Sequence, residues 1–419
     1  MSAEETATEI DLSNIRTVDG LDVRGKRVLV RADLNVPVED GAVADATRIT
    51  RVLPTINALR KSGARVILIS HFGRPKGERS PETSLKPVAV KLEEMLGAKV
   101  LFLTDCVGAG VEDGLASLGE GEVALLENLR YHKGETANDI EFAKQLAALG
   151  DIYVDDAFSC AHRAHASVEA IAHLMPAYAG MAMIAEINAL SAALENPTRP
   201  VMAIVGGAKV STKIDVLTNL AARMDTIVVG GGMANTFLYA QGVDVGNSLY
   251  EPDFARTVKE ITERAKASGC EIVLPVDVVI AEELAEGVKP RVCDVHDVPS
   301  GMMVLDQGPR SVERLKALLG ETRTVLWNGP LGAFEIAPFG KGTDALAREA
   351  GRLSKDDALI SVAGGGDTVR ALNMAGVAQD FTYISTAGGA FLEWLAGRQL
   401  PGVAVLARRE GAPAQTAVA

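Results

Sequence analysis

Cysteine is scarce in this sequence: Cys106, Cys160, Cys270 and Cys293 are the only four in 419 residues. They form no C-x-x-C pair and lack the histidine spacing of a zinc site, which fits a reduced, cytoplasmic protein. Long hydrophobic runs are also missing. No stretch approaches 18 apolar residues, and the acidic start MSAEETATEIDLSN has no apolar segment of the secretory kind, so neither a membrane span nor a signal peptide is expected. An excess of positive charge is absent too. The formal net charge of -13 argues against generic attraction to nucleic acid or to an anionic membrane. A local basic pocket is still allowed, because exposed charges more than about 10 Å apart are largely screened at 0.1 M salt. No stretch supplies the G-x-x-x-x-G-K-[ST] loop, and no strict G-x-G-x-x-G occurs; the loose G-x-G-x-x-A matches at Gly119 and Gly340 do not follow strand-like runs. There is no short internal repeat before the tail EGAPAQTAVA (410–419), whose small, polar residues are expected to be disordered.

What the chain does have is length and alternation. With 47% hydrophobic and 23% charged residues it is globular, and 419 residues lead us to expect two domains rather than one core. Short apolar runs recur, each followed by Gly, Asn, Asp or Ser and then by a stretch rich in Ala, Leu, Glu and Lys. In the first half they are KRVLVR (26–31), ARVILIS (64–70), AKVLFL (98–103), EVALL (122–126) and DIYVD (151–155). In the second they are VMAIV (201–205), TIVVG (226–230), EIVLPV (271–276), TVLWN (324–328), ALISV (358–362) and TYIS (382–385). This is the signature of parallel βαβ units, so the predicted fold class is α/β, with two doubly wound, Rossmann-like parallel-sheet domains and a cleft between them. Between the halves, Ile184, Ile187, Leu190 and Leu194 fall at helical spacing before Asn196-Pro197, which predicts a helix joining the domains.

Ligands of open α/β sheets sit beyond the carboxyl ends of the strands. In the second half those positions carry GGAK (206–209), GGGMA (230–234), NGPLGAFE (328–335), GGGDT (364–368) and TAGGA (386–390). Glycines there let the backbone approach a ligand, and the helix starts that follow offer free N–H groups and a positive dipole end to phosphate. In GGAKVSTK (206–213) the spacing predicts Lys209 and Lys213 on one face of a helix's first turns, reaching phosphates above its N-terminus. Asp367, after three glycines, suits either an N-cap or a magnesium ion shared with phosphate oxygens.

The same positions of the first half carry charge: RADLN (31–35), SHFGRP (70–75), ENLRYH (127–132) and DDAFSCAHRAH (155–165), with Arg48 in TRITRVL after a turn at Glu39-Asp40-Gly41. Arg74, Arg130, Arg163, His71 and His162 thereby share a sheet edge with Asp33 and Asn35. Guanidinium groups bind carboxylate and phosphate through paired hydrogen bonds, so the set suits a small, multiply anionic molecule. His132, His173 and His296 are read as ordinary structural or surface histidines.

Taken together, VRADLNVP, SHFGRPKG, LLENLRYHKGE, DDAFSCAHRAHAS, GGAKVSTKIDVL, GGGMANTFL, LPVDVVIA, WNGPLGAFE, GGGDT and STAGGAFLEWLAG resemble the phosphoglycerate kinase family, in its order, at about its spacing and over nearly the whole chain. The resemblance implies a 3-phosphoglycerate domain at 1–181, a linking helix at 182–198, a nucleotide domain at 199–396, and a segment 397–419 whose LPGVAVLARR (400–409) returns to the first domain. It places 3-phosphoglycerate at Asp33, Asn35, Arg48, His71, Arg74, Arg130 and Arg163. It places ATP or ADP at Gly206, Lys213, Gly231, Pro330, Glu335 (toward the ribose), Gly365, Gly366, Asp367 and Thr368, with Asp367 toward Mg2+. Lys209, Arg48, Gly388 and Gly389 match the residues that meet the transferring phosphoryl group. Three departures stand out: Ser159-Cys160 for the usual Gly-Thr, Ala387 for a glycine, and Phe72 for a leucine.

The expected reaction is reversible transfer of the acyl phosphate of 1,3-bisphosphoglycerate to MgADP by a monomer whose domains close around the linker. No general base is expected, because the acceptor in either direction is already an anion. The alternatives are a kinase for another carboxylate and a non-catalytic nucleotide-sensing protein that kept the fold.

Overall fold

The computed structural model describes residues 12–75 and 77–407; the tail expected to be disordered lies outside the described residues. The chain divides by contact into two compact units. The first runs up to Ile187 and takes the chain in again from Gln399; the second is Asn188–Arg398.

In the first unit the strands are β1 (Arg27–Arg31), β2 (Arg65–Ile69), β3 (Val100–Leu103), β4 (Val123–Leu126), β5 (Ile152–Asp155) and β6 (Ala177–Ala179), in the spatial order β3-β4-β2-β1-β5-β6. Every pairing is parallel. Strands buried on both faces read as unbroken apolar runs, which is why β4 and β5 show no alternation. After β1 a short hairpin turns at Asp40 and Gly41, with φ of 50° and 77°, the left-handed pair that a two-residue hairpin needs. It leads into α1 (Thr47–Lys61), whose Ile49, Val52, Ile56 and Leu59 pack on Val28, Val30, Val66 and Leu68 of the sheet.

Helix α2 (Met181–Leu194) carries the chain out of the first unit, and the division between the units falls inside it. The second unit holds β7 (Val201–Val205), β8 (Thr226–Val229), β9 (Glu271–Val273), β10 (Thr324–Asn328), β11 (Ile360–Gly364) and β12 (Tyr383–Ser385), again all parallel, in the order β9-β8-β7-β10-β11-β12. The core centres on Trp327, Ile204 and Met202, covered by Leu315, Leu319 and Leu346. A three-stranded antiparallel sheet of Asp277–Ala281, Arg291–Asp294 and Met303–Gln307 is an insertion that the alternation did not reveal. Residues 400–407 lie on the first unit: the Gly402 N–H donates to the Ala161 carbonyl at 2.9 Å, and Ile15 pairs with Ala407. Among the described residues no helix is long and apolar enough to cross a membrane.

Candidate active site

In the first sheet the strand order reverses between β1 and β5, and the candidate residues gather beyond their carboxyl ends. Asp33 accepts from Arg48 NH1 at 2.9 Å and from the Ser159 hydroxyl, while Arg48 NH1 also donates to the Asn35 carbonyl at 3.0 Å. The Asn35 side-chain oxygen accepts the Gly73 N–H at 2.9 Å, and the Gly73 carbonyl accepts Arg130 NH1 at 2.7 Å. Asp33, Asn35, Arg48 and Arg130 are thus joined in one hydrogen-bonded chain. Arg163 donates from Nε to His162 Nε2 at 3.0 Å. Arg74 is exposed, and no hydrogen bond or ion pair holds its side chain among the described residues.

His71 is buried behind this chain. Burial, then the charges of Arg31, Arg130 and Arg163, hold its pKa well below the ordinary histidine value. Burial and then Arg163 lower Arg130 as well, and the Arg130 Nε is a buried donor with no partner in the described structure. A guanidinium whose charge is disfavoured by burial and by a neighbouring cation, beside a carboxylate already engaged by Arg48, suits an anionic ligand here.

In the second sheet the order reverses between β7 and β10, and there the backbones meet. A Cβ on Gly206 would stand 1.8 Å from the Pro330 carbonyl oxygen, and one on Gly329 would stand 2.1 Å from the Gly206 carbonyl oxygen. Only glycine fits both positions. Lys213 turns back beneath this contact, donating to the carbonyls of Gly206 at 2.7 Å and Asn328 at 3.0 Å. Burial pushes its pKa down to about 8, partly opposed by the charge of Asp367. Asn328 donates to the Gly364 carbonyl at 2.8 Å, tying β10 to β11, and the Gly329 N–H donates at 2.7 Å to the Thr368 hydroxyl in the helix that follows β11. Around them stand three helix starts: α3 (Ile214–Leu220), α4 (Gly231–Ala240) and α5 (Gly366–Ala375). A fourth, α6 (Gly388–Leu395), opens with Gly388 facing open space and Gly389 exposed. Lys209, Asp367 and Glu335 are exposed.

The phosphoglycerate kinase family model matches residues 18–398 of this sequence. The chain belongs to that family. It is 58% identical over 395 residues to the phosphoglycerate kinase of Rhizobium meliloti, covering 94% of this chain and 99% of that protein. It is 56% identical over 391 residues to that of Caulobacter vibrioides, covering 93% and 99%. Among solved structures, phosphoglycerate kinase from Coxiella burnetii superposes with a TM-score of 0.88 at 42% identity, covering 94% of this chain and 98% of that one. The Pyrococcus horikoshii enzyme superposes at 0.79 and 31% identity, over 94% and 98%. Membership makes the chain a kinase, a phosphotransferase acting on small molecules with ATP or ADP as co-substrate.

Two local readings change with the geometry. Lys209 and Lys213 do not share the face of an α-helix, because Lys209 is extended at φ -129° and ψ 125°, Val210–Thr212 is a single 3-10 turn, and α3 begins only at Ile214. The physical reason is Glu251, whose carboxylate accepts the Ser211 N–H at 2.9 Å and the Ser211 hydroxyl at 2.7 Å and draws the turn tight. Thr368 is 2% exposed and its hydroxyl already holds Gly329, so its first role here is to position a loop. Residues that the sequence did not single out include Glu251, Asn328 and the buried trio Arg31, Glu135 and Ser167. All but Glu251 stood inside a motif, but only long-range hydrogen bonds reveal their use. Ala387 has φ -96° and ψ 70°, outside the left-handed region, so this departure from glycine carries no backbone strain.

Proposed function

We propose that the chain catalyses reversible phosphoryl transfer between 1,3-bisphosphoglycerate and MgADP, giving 3-phosphoglycerate and MgATP. The observation that carries this reading is the anion-deficient cluster of Arg130, Arg163 and His71, with the unpartnered Arg130 Nε among them. A carboxylic acid bearing an ammonium group would instead need free carboxylates, and Asp33 is engaged by Arg48 and Ser159. In this reading Asp33, Asn35, Arg48, His71, Arg74, Arg130 and Arg163 of the first unit hold the phosphoglycerate. The nucleotide lies on the second unit, against Gly206, Lys213, Gly231, Pro330, Glu335, Gly365, Gly366 and Thr368.

Asp367 is the residue that would hold Mg2+. An exposed carboxylate in the first turn of α5, close enough to affect Lys213, fits an ion bound through one carboxylate and the nucleotide's phosphates. When bound, the ion neutralises charge on the phosphates.

The protein's own groups supply the rest. Arg48 and Lys209 pair with the equatorial oxygens of the phosphoryl group, and the N–H groups of Gly388 and Gly389 add donors at the start of α6. No side chain needs to remove a proton, since a carboxylate and a diphosphate oxygen are the two acceptors. Each unit holds one reactant, so transfer requires the two to be brought together and water kept out, with α2 as the connection. The chain acts as a cytoplasmic monomer in this reading, with no nucleic-acid or membrane partner.

A coupled assay with 3-phosphoglycerate, MgATP and a dehydrogenase that consumes the acyl phosphate tests the proposal. Turnover should require magnesium. Arg48→Ala and Lys209→Ala should each lower kcat by at least about a hundredfold, as loss of a transition-state donor does, with far smaller changes in nucleotide affinity by calorimetry. Retained kcat in both variants, or binding without turnover in the unaltered protein, would overturn it.

A further inference from the structure

The end of β1 carries a buried network that the transfer step itself does not use. Arg31 is 1% exposed, and its guanidinium donates from Nε to the Ser167 hydroxyl at 3.0 Å, from NH1 to the Ala32 carbonyl, and from NH2 to His71 Nδ1 at 3.1 Å. The Ser167 hydroxyl donates to Glu135 Oε1 at 2.7 Å, and Glu135 Oε2 accepts the Ser167 N–H at 3.0 Å. Glu135 is fully buried. Burial pushes its pKa up, but the hydrogen bond from His165, the charge of Arg31 and the Ser167 hydroxyl outweigh it and hold the carboxyl below the usual range. The network is therefore a matched buried pair, Glu135 and Arg31, with one arm of the guanidinium directed at His71 and, at 3.5 Å, at Cys160 Sγ.

That arm decides the state of the imidazole. A guanidinium has N–H on every nitrogen and no lone pair to offer, so the ring nitrogen it touches must be the bare one. The single proton of a neutral His71 then lies on Nε2. A proton on Nδ1 would set N–H against N–H beside a permanent cation. The other groups facing the ring do not relieve this. Arg130, Arg163 and His165 oppose a charge on it, and the Asp33 carboxylate is taken by Arg48 and Ser159. Cys160, with Sγ 3.8 Å from Nδ1, is kept a thiol by burial.

We propose that Arg31, braced by Ser167 and Glu135, is a positioning residue that locks His71 as the neutral Nε2–H tautomer. His71 then meets the substrate as a hydrogen-bond donor to a carboxylate or hydroxyl oxygen, and not as a cation. This deepens the functional reading above and rests on its placement of His71 at the phosphoglycerate.

Nitrogen NMR of 15N-histidine-labelled protein without substrate tests the lock, the His71 signals being those lost in His71→Gln. One bare and one protonated ring nitrogen are expected, unchanged from about pH 5.5 to 8.5, the range in which an ordinary histidine titrates. Arg31→Met alone would strand Glu135 as a buried charge, so the variant measured is Arg31→Met/Glu135→Gln, with its melting temperature followed. In it the ring proton should no longer be confined to Nε2, so that a protonated Nδ1 appears in the spectrum, while burial, Arg130 and Arg163 still hold the pKa below the ordinary value. KM for 3-phosphoglycerate should rise about tenfold or more, the worth of one hydrogen bond to a charged group, with KM for ATP within about twofold. Ser167→Ala should shift both readouts in the same direction by less. A ring that is charged or carries its proton on Nδ1 in the unaltered protein would overturn the proposal. So would a folded double variant with unaltered His71 signals and KM. The tautomer is read without substrate, so failure of the functional reading, seen as no turnover, stays separate from failure of the lock.

Discussion

Lys213 offers a sharp quantitative test, because the fold holds its ammonium at a cost. Its pKa falls from 10.5 to about 8 on burial, so the nucleotide-free fold favours the free amine more than water does. Below pH 8 the folded and unfolded chains both carry the proton, and the fold bears the whole penalty. Between pH 8 and 10.5 the folded chain has released the proton and the unfolded chain has not, so unfolding takes up a proton and stability climbs with pH. A depression of this size corresponds to about 3 kcal/mol. For a unit the size of Asn188–Arg398 that is roughly 6 to 12 °C in melting temperature. The measurement is calorimetric melting of nucleotide-free wild type and Lys213→Met at steps from pH 7 to 10.5. Other alkaline groups cancel in the difference between the two proteins. Wild type should gain on Lys213→Met by about that amount across the window. At pH 7 Lys213→Met should match or exceed wild type, since it sheds the buried charge while losing hydrogen bonds worth about 1 kcal/mol each. Nucleotide affinity should nevertheless fall in the variant. A melting difference that stays flat with pH would refute the reasoning, because it would mean that the ammonium is not desolvated by the fold.

Two other positions separate packing from chemistry. Gly206→Ala places its Cβ 1.8 Å from the Pro330 oxygen and should cost about 3 kcal/mol in urea unfolding, whereas Gly388→Ala meets open space and should unfold within about 0.5 kcal/mol of wild type. Ala387→Gly restores a glycine where the backbone does not need one. It should lower stability by about 0.5 to 1 kcal/mol and leave kcat within about twofold of wild type.

The two-sheet architecture was legible because parallel strands are buried on both faces. VMAIV and TVLWN are unbroken apolar runs, and the glycines that follow stand where backbones touch. Strand order was not legible, since it depends on crossovers that no local pattern encodes. The antiparallel insertion at 277–307 escaped notice because its edge strand is largely exposed, with Val292 open to solvent. At the candidate site, Asp33, Asn35 and Arg130 stood out by their place at strand ends and Arg48 by the turn before its helix, and hydrogen bonds join them. Arg31, two residues before Asp33, was passed over because a buried arginine and a solvated one read alike. Its partners Ser167 and Glu135 lie more than a hundred residues away. The lysine pair misled for a related reason: i, i+4 spacing implies a shared face only if the segment is α-helical, and a distant carboxylate, Glu251, decided that it was not.

The return of residues 400–407 to the first unit has a consequence for biosynthesis. The second unit is continuous in sequence, so the strands of both its sheets have been made by the time Arg398 is added. The first unit has all its strands much earlier, but it lacks the turn at Pro401–Ala404 that covers Ala161, two residues from Arg163. Domains ordinarily fold in the order in which they are synthesised. Here the half that is begun first is completed last, and the loop bearing Arg163 gains its final support only after the whole second unit has been made.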